Sequence, residues 1–170
     1  MNPIIESNIN KHAPYYTICK TDSVAVFMTD NGLVYEAGFV EDYTFFDENA
    51  YQFYLKELTG TSGPRDNKIM STVAAIIEEF LSQNDSVVVY ICDNSDGKQA
   101  IRNRIFISWF NTTERHEDYT LLMGHGTISD CTYFAAAIVA KKNPDYQEII
   151  NAFAFFKMVV RAKFPDADIE

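Results

Sequence analysis

Cysteine is scarce in this chain: Cys19, Cys92 and Cys131 are the three among 170 residues, and none stands in a Cys-x-x-Cys spacing. That excludes a disulfide framework and gives metal or dithiol redox chemistry little to work with. His12, His116 and His125 are scattered, without a cysteine or carboxylate at metal-ligand spacing, so no metal and no cofactor is expected. No apolar run approaches the roughly 20 residues that a membrane span needs, which argues against a membrane partner. The opening MNPIIESNINKH lacks the basic and apolar regions of an export signal, so a cytoplasmic location is expected. Basic residues are outnumbered 24 to 14, for a net charge of -10, and a phosphate backbone would be repelled; no nucleic acid is expected either. Ser71-Thr72 and Ser129-Asp130 belong to no nucleophile elbow, which leaves nucleophilic catalysis without support.

What is present is a well-ordered core composition. Apolar residues make up 47%, glycine and proline are few (7 and 5), and the length suits one domain with a proper core. The 10 tyrosines and 13 phenylalanines, against a single Trp109, suggest a sheet with aromatic faces, because flat rings pack well on a pleated surface. The acidity is uneven. Residues 1–59 carry 9 acids against 3 bases, residues 60–110 carry 6 against 5, and residues 111–170 carry 9 against 6.

Taken in order, residues 1–14 read as a loose N-terminal arm and 15–170 as a single α+β domain. Tyr15 to Lys20 fits a short strand. Val24 to Thr29, then Asp30-Asn31-Gly32, then Leu33 to Val40 is a hairpin signal, with Asn-Gly supplying a tight turn. Tyr51 to Leu58 alternates as a strand, after an acidic loop from Asp42 to Asn49. Asp66 caps a helix to about Ser82, with Ile69, Val73, Ile76, Ile77, Phe80 and Leu81 as its apolar face and Glu78 and Glu79 toward water. Val87 to Cys92 is a β-branched strand, and Gly97 to Phe110 a helix with Ile101, Ile105 and Trp109 on one stripe and Phe106 and Phe110 beside it. Two strands, Asp118 to Met123 and Cys131 to Ala140, are joined through a Gly124-His125-Gly126 loop. Pro144-Asp145 opens a last helix buried through Ile149, Ile150, Phe153, Phe156 and Val160. The pattern predicts α+β: a mostly antiparallel mixed sheet of six to seven strands with three helices.

The densest stretch is Val87 to Phe110, a strand, an acidic turn and a basic helix. Asp93 and Asp96 beyond the strand end, followed by Lys98, Arg102 and Arg104, form a candidate ligand site, since crevices at strand ends commonly bind small molecules. The plainer account makes Asp96 a helix cap, Asp93 a turn residue and the arginines their ion partners. Arg65 and Lys68 lie near a helix start, where the dipole favours an anion; plain surface charge is the simpler account. Phe153, Phe155 and Phe156 cover several faces of the last helix, a pattern that fits core packing or a contact with a partner or second copy.

Two resemblances add to this reading. The spacing Asp66-x-x-Ile69-x-x-Thr72, the segment YICDxxDGKQAxRxRxFxxWF from Tyr90 to Phe110, and TDNGxxYExxF from Thr29 to Phe39 resemble an uncharacterised domain-of-unknown-function family of Bacteroidota. That resemblance implies a cytoplasmic bacterial protein and no activity. From Val24 onward the element order is similar to that of the GCN5-related N-acetyltransferases. In that family an Arg/Gln-x-x-Gly-x-Gly/Ala loop holds the acyl-CoA pyrophosphate on backbone N–H groups at a helix start, where glycines permit close approach. The corresponding window here, Arg65 to Met70, has neither glycine and carries Asp66, and Gly60 and Gly63 do not restore the spacing. Arg104 stands where the family usually presents a tyrosine acid, and Ser108 where it has a glycine.

The expectation is therefore a non-catalytic binding or regulatory protein with an acetyltransferase-like order of elements, whose partner is another protein or a second copy of itself. The competing expectation is a divergent acyl-CoA-dependent N-acyltransferase that uses Arg65 and Lys68 for phosphates.

Overall fold

The computed structural model describes residues 1–43, 46, 49–60, 63, 64, 66–92, 97–113, 115–128 and 131–163; for 112, 127, 128, 131–133, 160, 162 and 163 it describes the backbone alone. The chain runs α1 (Glu6–His12), β1 (Thr17–Thr21), β2 (Val24–Met28), β3 (Val34–Glu41), β4 (Ala50–Glu57), α2 (Asn67–Gln83), β5 (Val87–Ile91), α3 (Gln99–Thr112), a 3-10 turn at His116–Asp118, β6 (Tyr119–Ile128), β7 (Cys131–Ala140) and α4 (Tyr146–Lys163). The strands form one mixed sheet in the order β1-β2-β3-β4-β5-β7-β6. β4 and β5 pair in parallel, Ala50 opposite Val87 through Gln52 opposite Val89. The pairs β1–β2, β2–β3, β5–β7 and β6–β7 are antiparallel. This is the expected α+β class, with a fourth helix, α1, where the composition suggested a loose arm.

By its internal packing the chain comprises two compact units. Met1–Val40 and Phe53–Asp85 make the first; Glu41–Gln52 and Ser86–Glu170 make the second. In the first, α2 buries Val73, Ile76, Ile77, Phe80 and Leu81, as the helical spacing predicts. Phe80 stacks on Phe39 of β3 at 3.9 Å between centroids, and Phe39 meets Phe53 of β4 at 5.6 Å. Full burial of such side chains contributes about 1.5–3 kcal/mol each. Between β2 and β3 the turn is one residue longer than the two-residue form. Thr29 N–H donates to the Leu33 carbonyl and Gly32 N–H to that of Thr29, both at 2.9 Å. Gly32 alone of the turn residues takes positive φ, +78°, so a type I turn ends in a left-handed glycine. Gly38 serves close approach instead: a Cβ there would lie 2.6 Å from the Tyr54 ring.

In the second unit Phe46, Ala50, Val87, Val89, Ala137, Val139 and Phe153 form a buried cluster, flanked by Ile149, Ile150 and Tyr146 of α4. β6 is longer than its sequence suggests. Gly124, His125 and Gly126 are strand residues opposite Ala135, Phe134 and Tyr133. α4 buries Phe153 but leaves Phe155 65% exposed, so the ring cluster points two ways. The Val160 side chain lies outside the described residues. Of the two apolar stripes of α3, the structure buries Phe106, while Ile101 and Ile105 of the other are exposed.

The N-terminal segment is held by polar groups. Ile4 and Ile9 are buried, and Asn10 of α1 bonds both backbone groups of Thr17, at 2.8 Å each, while Glu6 accepts from Cys19 N–H. α1 side chains thus satisfy β1 backbone groups that would otherwise form an open sheet edge. Glu79, expected to face water, is 7% exposed. Its carboxylate accepts from Ile5 N–H at 3.1 Å, Asn8 Nδ2 at 3.3 Å, Gln83 Nε2 at 3.0 Å and Ser82 Oγ at 3.3 Å. Burial of a carboxylate is tolerable only with such donors. Glu79→Ala strands Ile5 N–H and Asn8, so it should cost about 2–3 kcal/mol. Thermal unfolding should show this as a fall of about 5–10 °C, with Glu79→Gln losing less.

Candidate functional site

The N-terminus of α2 gathers the clearest polar cluster among the described residues. Asp66 sits at the N-cap in extended backbone, and its Oδ1 accepts from Lys68 N–H at 2.9 Å, satisfying one of the helix's orphan donors. Its other oxygen accepts from the Tyr15 hydroxyl at 2.5 Å. Tyr15 is buried and its backbone N–H donates to Thr72 Oγ1 of α2 at 3.3 Å. From the hairpin turn, Asp30 Oδ2 binds Lys68 Nζ at 2.6 Å and lies 3.5 Å from the same hydroxyl. Lys68 Nζ also stands 5.4 Å from the Tyr15 ring centroid, a cation–π contact. Behind this, the Tyr15, Phe27 and Tyr35 rings stack in sequence at 6.1 and 5.5 Å.

The electrostatics follow from these contacts. The hydrogen bond to Asp66, then burial, raises the Tyr15 hydroxyl above the ordinary tyrosine range, so it remains a donor. Lys68 holds the Asp30 carboxyl below its usual range, chiefly through their hydrogen bond, and Asp30 raises Lys68 in return. Two carboxylates therefore face one ammonium. That arrangement suits internal tethering and disfavours a bound anion.

A second cluster lies in the other unit. The Tyr90 ring stacks on Phe106 at 4.2 Å and 15°. Burial pushes the Tyr90 hydroxyl far above its usual range, with the Cys92 thiol adding to this and Arg102 opposing it. Burial likewise raises Cys92, against the Tyr90 hydrogen bond and Arg102. Cys92 thus stays a neutral thiol at physiological pH, a poor nucleophile.

Of the residues singled out from sequence, Arg65, Asp93 and Asp96 lie outside the described residues. Lys68 belongs to the first unit, whereas Lys98, Arg102 and Arg104 belong to the second. Lys98 occupies the α3 N-cap without a side-chain capping bond, Arg102 is half-buried near Tyr90 and Cys92, and Arg104 is exposed. His125 stacks on Phe134 at 5.8 Å as a strand residue. Among the described residues no group of three His, Cys, Asp or Glu side chains is placed to hold a metal ion, and no helix is long and apolar enough to cross a membrane. Sequence reasoning placed Asp66 at its cap and Asp30 in its turn but did not join them. The missing element was Tyr15, whose side chain carries no local signal of the pairing.

These features define an α+β protein with a side-chain-capped helix start, that of α2, and two side-chain clusters. Residues 65–155, from the start of α2 into α4, match a family of unknown function, DUF6169, and the chain belongs to that family. The Asp66-x-x-Ile69-x-x-Thr72 and Tyr90–Phe110 segments lie inside the match; the Thr29–Phe39 segment precedes it. No curated protein and no solved structure matches the chain.

The Asp30–Lys68 pair has a defined pH window. Asp30 is lowered, so its contribution is present above the ordinary carboxyl pKa of about 4 and is lost as pH falls through the lowered value. Lys68 is raised, so the contribution persists below about pH 10.4 and disappears as pH rises through the raised value. Carboxyl-carbon NMR should show Asp30 titrating below the usual range in the native chain and near it in Lys68→Ala. An unchanged Asp30 titration in the variant would rule out the pairing.

Proposed function

We propose that this chain is a non-catalytic binding or regulatory protein, intracellular and bacterial, built on an acetyltransferase-like sheet and partnered by another protein. The likeness to that sheet is supported by the parallel β4–β5 pair, joined through α2, in a mostly antiparallel sheet. The reading itself is carried by one observation. At the helix start where the acetyltransferase order would seat a pyrophosphate, Asp66 already places a carboxylate on the Lys68 N–H. Asp30 neutralises the adjacent ammonium at 2.6 Å. A pyrophosphate there would meet two carboxylates and compete with the cap for the same N–H, which costs more than the dipole returns.

The element order alone favours the second reading, a divergent acyl-CoA-dependent N-acyltransferase. Calorimetric titration of the native chain with acetyl-CoA and CoA separates the two. We expect no saturable heat at millimolar ligand. Saturable binding that weakens in an Arg65→Ala, Lys68→Ala variant, with acyl transfer to an amine, would instead establish the transferase.

A further inference from the structure

We infer that β6 is a dimerisation edge, along which a second copy of this chain pairs its own β6 antiparallel about Met123. The inference goes beyond the protein-binding reading above and does not depend on it. The two ends of the sheet, β1 and β6, are built differently. β1 carries the usual defences of an edge strand. It is five residues long, its register shifts between Cys19 and Thr21, and it holds Lys20. Side chains of α1 also take its backbone groups at Thr17 and Cys19. β6 instead runs for ten residues in unbroken register with β7. It has no proline and no acidic or basic residue other than His125.

The ladder shows which β6 backbone groups point outward. Lys141 N–H donates to the Asp118 carbonyl, and Cys92 N–H to that of Phe134, the residue opposite His125. Even-numbered residues of β6 therefore bond β7, and odd-numbered ones turn their N–H and C=O groups away from it. Among the described residues, both groups of Leu121 and the N–H of Met123 have no partner on that side. The Met123 carbonyl lies 3.5 Å from Lys157 Nζ and keeps a second lone pair. Tyr119 and His125 have contacts of their own and are not needed.

What fits this edge is β6 itself. About a two-fold axis at Met123, Thr120 lies opposite the second copy's Gly126, and Leu122 opposite the second copy's Gly124. Each bulkier side chain on the α4 face thus meets a glycine, and no charged side chain of β6 faces its like. The net charge of -10 on each copy is screened beyond about 8 Å at physiological salt. An extended segment of another protein would satisfy the same backbone groups but would not bring a second α4. The reach of Lys157 to Met123 sets the later turns of α4 beside this edge. Met158, about 100° further round the helix, is 66% exposed. A two-fold axis normal to the sheet keeps both α4 helices on one face, where each covers the other's Met158.

Sedimentation velocity of the full chain should show a species of twice the 19.4 kDa chain mass, dissociating on dilution. Met123→Lys sets two ammonium groups against each other on the axis, and Met123→Glu two carboxylates. Each variant alone should associate at least about tenfold more weakly. An equal mixture of the two should regain the doubled mass, because opposite charges then meet across the axis. Circular dichroism should stay native, since Met123 is 48% exposed. Ile18→Lys on β1, where Ile18 is 55% exposed, is the control and should remain dimeric. A native chain still monomeric at about 0.1 mM overturns the inference. So does a dimer that survives Met123→Lys, a mixture that stays monomeric, or a dimer lost in Ile18→Lys. A monomer whose Leu121 and Met123 amides shift on adding an extended peptide would assign the edge to another protein and likewise overturn it.

Discussion

Asp66 is the residue on which the first unit turns. One carboxylate caps α2 through the Lys68 N–H and receives the Tyr15 hydroxyl, so a helix start and the approach to β1 share a single acceptor. Through Lys68 the same corner is tied to Asp30, which brings in the β2–β3 hairpin. Each bond alone is modest, because the charged groups are exposed and exposed pairs contribute little. Their value lies in registration. Tyr15 is buried against Phe27, and a buried hydroxyl needs a partner. The cap therefore fixes where the ring sits, and the stacked rings of Tyr15, Phe27 and Tyr35 follow from it.

A comparable economy holds at the other end of α2. Glu79 collects four donors from α1, its approach and its own helix, with no cation among them. A short polar helix with few buried side chains would not hold its place by packing alone. The carboxylate and the Asn10 and Glu6 contacts with β1 supply what packing does not.

Strands with strong β-branched or alternating patterns were legible in the sequence: β2, β3, β4, β5 and β7 fall close to where residue chemistry puts them, as does α2. What was not legible depended on a distant partner. Gly124-His125-Gly126 has loop composition, yet it extends β6 because β7 offers a matching ladder, and local propensity cannot register that. α3 holds two apolar stripes, Ile101-Ile105-Trp109 and Phe106-Phe110. Periodicity cannot choose between them; the stack on Tyr90 does. Glu79 did carry a signal, since it lies three residues after Ile76 and seven after Thr72, on the buried face. Its charge outweighed its position in the reading. Asp30, Asp66 and Tyr15 are far apart in sequence, and each has a sufficient local role that hides the shared one.

These elements give a physical reason why a parallel strand pair joined through a helix need not bind an anion at that helix start. A helix start can bind an anion only while its N–H groups remain available, and here a side chain of the same chain has taken the position. The most direct measurement is an amide NMR titration of the native chain with inorganic pyrophosphate, following Asn67, Lys68, Ile69 and Met70. A start closed by Asp66 predicts that these amides stay in place as ligand is added. A saturable shift centred on Lys68 would show the helix start open to phosphate and contradict the account.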